Sequence, residues 1–164
     1  MYAIWRAVVL GGVVTLGVVL GAGIVRVSAQ ASDARIGTWK LNVAKSKYSP
    51  GPAPQSNTLK IEASGQGEKV TTEGVNATGT PTMTQYTANF DGKDYPLTGS
   101  QNADKVSLKR IDARTTERTD KKGDKVVQTV TRVVSQDGKT MTVTEKGTNA
   151  QGQAVDNVVV YEKQ

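Results

Sequence analysis

The chain has 164 residues, with 21 Lys and Arg against 15 Asp and Glu for a net charge of +6, and it contains neither Cys nor His. That composition excludes a disulfide framework, a thiolate nucleophile, a Cys- or His-built metal site and a Ser-His-Asp triad, so no metal or other cofactor is expected and an enzyme is disfavoured. The basic residues are scattered among acidic ones with no basic block and few aromatics, which argues against nucleic acid as a partner.

Arg6 is followed by an apolar run over 7–25 and then by Val27-Ser28-Ala29-Gln30-Ala31, small residues at the spacing a signal peptidase reads. Residues 1–31 are therefore expected to be a hydrophobic signal helix, cleaved after Ala29 or Ala31. The alternative is a retained membrane anchor, because the run approaches the ~20 residues that cross a bilayer as a helix. Either reading implies export, periplasmic or secreted, with the membrane a partner only through an uncleaved leader. Removing the leader leaves roughly 130 residues, one domain's length. These divide into a linker at 32–35 and a domain at 36–163.

From residue 36 onward apolar and polar residues alternate, and Gly, Asn and Asp interrupt the alternation at short intervals. The pattern predicts strands at 36–43, 58–64, 69–76, 82–90, 93–97, 105–111, 115–121, 125–135, 139–148 and 154–163. Asp91-Gly92 and Asp137-Gly138 are tight-hairpin dipeptides. No connection after residue 57 has room for a crossover helix, so the strands are expected to be antiparallel. The expected fold is all-β, an antiparallel up-and-down β-barrel of about 8–10 strands whose closure removes exposed edges. A β-sandwich is the alternative. Segment 44–57 breaks the rhythm with prolines at 50, 52 and 54, which impose an extended path. It is either a strap from the first strand to the second or a lid over one barrel end with Tyr48 as its plug.

Alternation puts Trp39, Leu41 and Val43 on one face, as it does Leu59, Ile61 and Ala63, Tyr86, Ala88 and Phe90, Val106 and Leu108, Val126, Val130 and Val134, and Met141 and Val143. Between 112 and 125 the only apolar residue is Ala113, so that hairpin either protrudes or lines a wet interior. Arg110 and Arg132 continue inward faces, and Arg118 is a third candidate cation. A buried arginine needs a partner, and its planar fork matches a ligand carboxylate or phosphate. Arg110, Arg132, the Tyr86 hydroxyl, and Phe90 and Met141 as apolar wall are the candidate ligand-binding residues. In the alternative reading the arginines pair with Asp or Glu near strand ends, and Phe90 and Met141 are core.

Gly37-Thr38-Trp39-Lys40-Leu41 resembles the Gly-x-Trp opening of lipocalins and fatty-acid-binding proteins, and Val160-Tyr161-Glu162-Lys163 resembles the close of a fatty-acid-binding protein. The resemblance spans 36–163 and implies a lipocalin-like (calycin) barrel with Trp39 packed across its closed end. It departs from the fatty-acid-binding pattern twice. The Pro-rich connector stands where that family has two helices, and Val159-Val160-Tyr161 replaces an Arg-x-Tyr whose arginine meets the ligand carboxylate. The leading expectation is a non-enzymatic exported protein holding a small apolar or amphiphilic ligand inside its barrel. The alternative is a ligand-free structural or interaction domain of the cell envelope. An interior cavity of several hundred Å³ separates the two. A transmembrane barrel is excluded by outward faces of Thr, Lys and Gln with no aromatic girdles.

Overall fold

A computed structural model describes residues 33–164, so the signal helix and its anchor alternative lie outside the described residues. Among the described residues ten strands form: β1 (Gly37–Leu41), β2 (Ser56–Ser64), β3 (Gly67–Val75), β4 (Pro81–Asn89), β5 (Tyr95–Thr98), β6 (Lys105–Arg110), β7 (Thr115–Lys122), β8 (Lys125–Val134), β9 (Thr140–Thr148) and β10 (Ala154–Lys163). Each pairs antiparallel with its sequence neighbours, and β1 closes the sheet by pairing with β10. The architecture is the expected barrel and not a sandwich.

Period-two alternation explains the closure, because each strand sends one row of side chains inward. Trp39, Ile61, Val70, Val106, Leu108, Val130, Val134 and Met141 are all buried to 1% exposure or less. Gly92 and Gly138 adopt φ of 72° and 70°, which side chains resist, and so make the hairpins at Asp91-Gly92 and Asp137-Gly138 tight. Gly67 is required for a different reason. A Cβ there would stand 1.8 Å from the Ala88 carbonyl oxygen on the paired strand. Gly67→Ala is therefore expected to force β3 from β4 and cost about 1–3 kcal/mol, as overpacking generally does, measurable as a lower urea midpoint with an unchanged slope.

Three local expectations are corrected. β1 stops at Leu41 because the Asn42 side chain accepts from the Lys45 amide and starts a 3-10 turn over Val43–Lys45, which turns Val43 out to 41% exposure. Val126 is 52% exposed because it sits at the β7–β8 hairpin, where a register shift at Asp120/Lys121 disrupts the pairing of the strand ends. Ala63 is exposed because β2 ends one residue later, at Ser64, where its inward face has already passed the core. In the segment before β1, residues 33–35 form a turn in which Ile36 donates to the Asp33 carbonyl at 3.0 Å and the Arg35 side chain is buried.

The connector after the 3-10 turn is a strap. Lys47 exchanges two backbone hydrogen bonds with Val158 at 2.7 and 2.9 Å, the Ser49 carbonyl accepts from Asp156, and Gln55 donates to Val75. It therefore runs from β10 to β3 at the end of the barrel opposite the 33–36 turn. Tyr48 leaves it half-buried against the core. The two ends are called here the strap end and the plugged end.

Candidate ligand-binding site

The hairpin without apolar residues lines a polar interior. Thr116, Arg118 and Asp120 alternate inward on β7, and Thr116 and Asp120 are nearly inaccessible. Arg118 grips Asp120 through Nε at 2.7 Å and Nη2 at 2.8 Å, with its guanidinium 5.6 Å from the centre of the Tyr86 ring.

Beneath this pair lies a wholly buried carboxylate. Glu68 on β3 accepts from Arg132 Nη1 at 2.7 Å, from the Tyr86 hydroxyl at 2.8 Å, and from Arg35 Nη1 at 2.6 Å, and Arg132 Nη2 donates onward to the Tyr86 oxygen at 2.8 Å. Arg35 also pairs with Asp33, which takes Arg110 Nη2 at 2.9 Å. Both guanidiniums also approach the Phe90 ring, 4.8 Å for Arg35 and 4.5 Å for Arg110 from its centre. A line of charge thus runs from the plugged end to the middle of the barrel. Its geometry is what makes burial tolerable, since each buried charge has an opposite partner within hydrogen-bonding distance.

Burial alone would raise the Glu68 pKa, but the charges of Arg132 and Arg35 and the Tyr86 hydrogen bond outweigh it and hold the carboxyl below its ordinary value. Asp33 follows the same logic with Arg35 and Arg110. Burial raises the Tyr86 phenol, so it stays protonated as the donor to Glu68.

Above Glu68, toward the strap end, the packing opens into a cavity of about 170 Å³. Leu59, Val130 and Val143 give it apolar walls, while Arg118, Arg132, Glu145, Tyr161, Asn57, Thr72 and Thr84 bring polar groups. At ~30 Å³ of liquid volume per water this is space for about five waters, below the ~300–1,000 Å³ of pockets that enclose a drug-sized ligand. The Tyr161 hydroxyl donates to Asn57 Oδ1 at 3.0 Å. Glu145 accepts from Asn157 Nδ2 at 2.9 Å, and Asn157 Oδ1 in turn accepts from the Ser49 amide of the strap at 2.9 Å.

Of the five residues singled out from sequence, only Arg132 lines this cavity. Tyr86 lies under it, bonded to Arg132 and Glu68, and Met141 is fully buried core. Phe90 and Arg110 stand at the plugged end, Arg110 with a side chain 40% exposed, because β6 ends at that residue and its face has already reached the rim. Trp39 is buried near that end, its indole N–H donating to the Arg35 carbonyl at 2.8 Å and Lys163 Nζ lying 5.1 Å from the ring centre. Sequence reasoning missed Arg35, Glu68, Asp120 and Glu145. Glu68 and Glu145 each sit two residues from an inward valine, Val70 and Val143, and the alternation carried that signal. Among the described residues no group of three or more Asp and Glu is placed to hold a metal ion, and no helix is long and apolar enough to cross a membrane.

The closed ten-strand antiparallel meander has the fold of a calycin-type barrel, the architecture that lipocalins and fatty-acid-binding proteins share. The zebrafish ileal bile acid-binding protein, crystallised with cholic acid, has a similar structure, with a TM-score of 0.50 and 16% sequence identity over 80% of this chain and 99% of that one. No protein-family model and no curated protein matches the chain.

Proposed function

We propose that this barrel is an exported, non-enzymatic binding protein for a small amphiphile, whose polar head occupies the cavity beside Arg118, Arg132 and Glu145 while its apolar part extends toward the strap end. The observation that carries the reading is the chemistry of the cavity, where apolar and charged walls meet. At about 170 Å³ it is smaller than the several hundred Å³ that would enclose a whole ligand, so only a head group is placed inside it. Such a combination of apolar surface and a few placed polar groups is the usual chemistry of ligand sites. The similarity to a bile acid-binding protein supports it at the level of the fold. Export rests on the leader 1–31, and N-terminal sequencing of protein recovered from cells tests it through an end at Gln30 or Ser32.

A second reading, a ligand-free domain of the cell envelope, is favoured by one observation. The half of the interior around Trp39, Ile61, Leu108 and Met141 is solidly filled. Two measurements separate the readings. Native mass spectrometry of the protein as isolated is expected to show a bound small mass at 1:1. Titration with dodecyl amphiphiles is expected to shift the amide resonances of Thr72, Thr84, Val130 and Val143 in a saturable way. No bound mass, and shifts that are absent or confined to the outer face, would leave the envelope domain.

A further inference from the structure

Fatty-acid-type barrels invite the expectation of an anionic ligand, and two arginines on the cavity wall reinforce it. The pairing of charges points the other way. Arg118 is held by both oxygens of Asp120, and Arg132 is bonded to Glu68 and to the Tyr86 hydroxyl. Along the line of charge four arginines, 35, 110, 118 and 132, meet three carboxylates, Asp33, Glu68 and Asp120, which leaves one positive charge over. The surplus falls on Arg110, which shares Asp33 with Arg35 and reaches solvent at the plugged end, far from the cavity.

Glu145 is different. It lines the cavity, and among the described residues no Lys or Arg nitrogen comes within 4.0 Å of its carboxylate. Among the described residues its only hydrogen bond is the one from Asn157 to Oε2, and Oε1 accepts none. The strap fixes Asn157 through the Ser49 amide, which holds the carboxylate in place before any ligand arrives. Tyr161 shares the cavity wall, and Tyr48 approaches from the strap. Burial, with the Glu145 charge adding to it, pushes the Tyr48 phenol up to about 12 and raises Tyr161 as well. A carboxylate without a cation, sharing its cavity with a tyrosine that stays neutral, is the arrangement that recognises an alkylammonium group, through ion pairing on one side and cation–π attraction on the other.

We infer that the cavity takes the ammonium head of a cationic amphiphile, with Glu145 as its counter-ion, Tyr161 as an aromatic wall and Tyr48 of the strap beside the path of the tail. This deepens the binding reading above and rests on it. A head group is also what about 170 Å³ accommodates, leaving the alkyl chain to run along the strap.

The test is a calorimetric titration of the full chain with three probes sharing one tail and used below their micellar concentrations: dodecyltrimethylammonium, dodecanoate and dodecyl maltoside. Each is run on the native protein and on Glu145→Gln, whose fold is checked by circular dichroism and thermal unfolding. Any contribution of the leader is common to both proteins and cancels in the comparison. Dodecyltrimethylammonium is expected to bind 1:1 at least tenfold more tightly than dodecanoate, and Glu145→Gln is expected to remove that preference. Preference for dodecanoate, or an ammonium affinity untouched by Glu145→Gln, would overturn the assignment while leaving an amphiphile-binding barrel. Failure of all three probes to bind would overturn that reading with it.

Discussion

Glu68→Gln is expected to lower the unfolding free energy by about 3–5 kcal/mol, the cost of breaking a buried ion pair from one side. Glu68 is the hub of the interior, since it alone receives Arg35, Arg132 and the Tyr86 hydroxyl. Without its charge Arg132 has no anionic partner, and Arg35 keeps only an Asp33 already shared with Arg110. Arg35 is the less tolerant of the two, because its Nε is buried with no hydrogen-bond partner among the described residues. Urea unfolding followed by far-ultraviolet circular dichroism measures the loss. If the cost comes from uncompensated charge, the double replacement Glu68→Leu with Arg132→Met should recover the part that Arg132 contributes, since an apolar pair of similar volume removes that charge and its need for a partner. The remainder is the cost of Arg35 left with Asp33 alone. A double variant as unstable as the single one would mean that the network is needed for shape and not only for neutrality.

The same residue predicts how the barrel responds to acid. The folded Glu68 pKa lies below the ordinary value of 4.5 that it regains on unfolding. Its contribution to stability is therefore complete above about pH 4.5 and is lost as pH falls from there through the folded value. Asp33, also lowered, acts in the same direction from its ordinary 3.8. Unfolding free energy should fall more steeply below pH 4.5 in the native protein than in Glu68→Gln, and an equal slope in both would show that other carboxylates dominate the acid response.

Much of the barrel was legible in the sequence because alternation and hairpin dipeptides are local signals. Each expected strand overlaps an observed one, and Trp39, Ile61, Leu108 and Arg132 face inward as their spacing requires. The site was legible only in part. Residues 112–125 announced a polar interior as one of two outcomes, and β7 realises it through Thr116, Arg118 and Asp120. Arg35 carried no signal, because it precedes the first strand and is buried only when the turn at Asp33 folds it back onto Glu68, 33 residues away. The cavity was illegible for a related reason. Its volume depends on side chains from β2, β3, β4, β7, β8, β9 and β10 meeting across the barrel, and periodicity along any one strand says nothing of the gap they leave.

Trp39→Ala is expected to cost about 3–5 kcal/mol, as large-to-small changes of buried aromatics do. Trp39 is fully buried, and its strand is short, five residues that both close the barrel against β10 and open it toward β2. A void under β1 therefore weakens two seams at once. Trp39→Phe separates packing from hydrogen bonding. It keeps an aromatic ring but removes the indole N–H, leaving the buried Arg35 carbonyl without that donor at a cost of about 1–3 kcal/mol. Because that carbonyl belongs to the residue whose guanidinium bridges Asp33 and Glu68, the phenylalanine variant should also flatten the acid dependence of stability. A Trp39→Phe protein with native acid sensitivity would show that Trp39 fills the barrel end without positioning Arg35. A flattened one would tie the Gly-x-Trp opening of the chain directly to the charges at its centre.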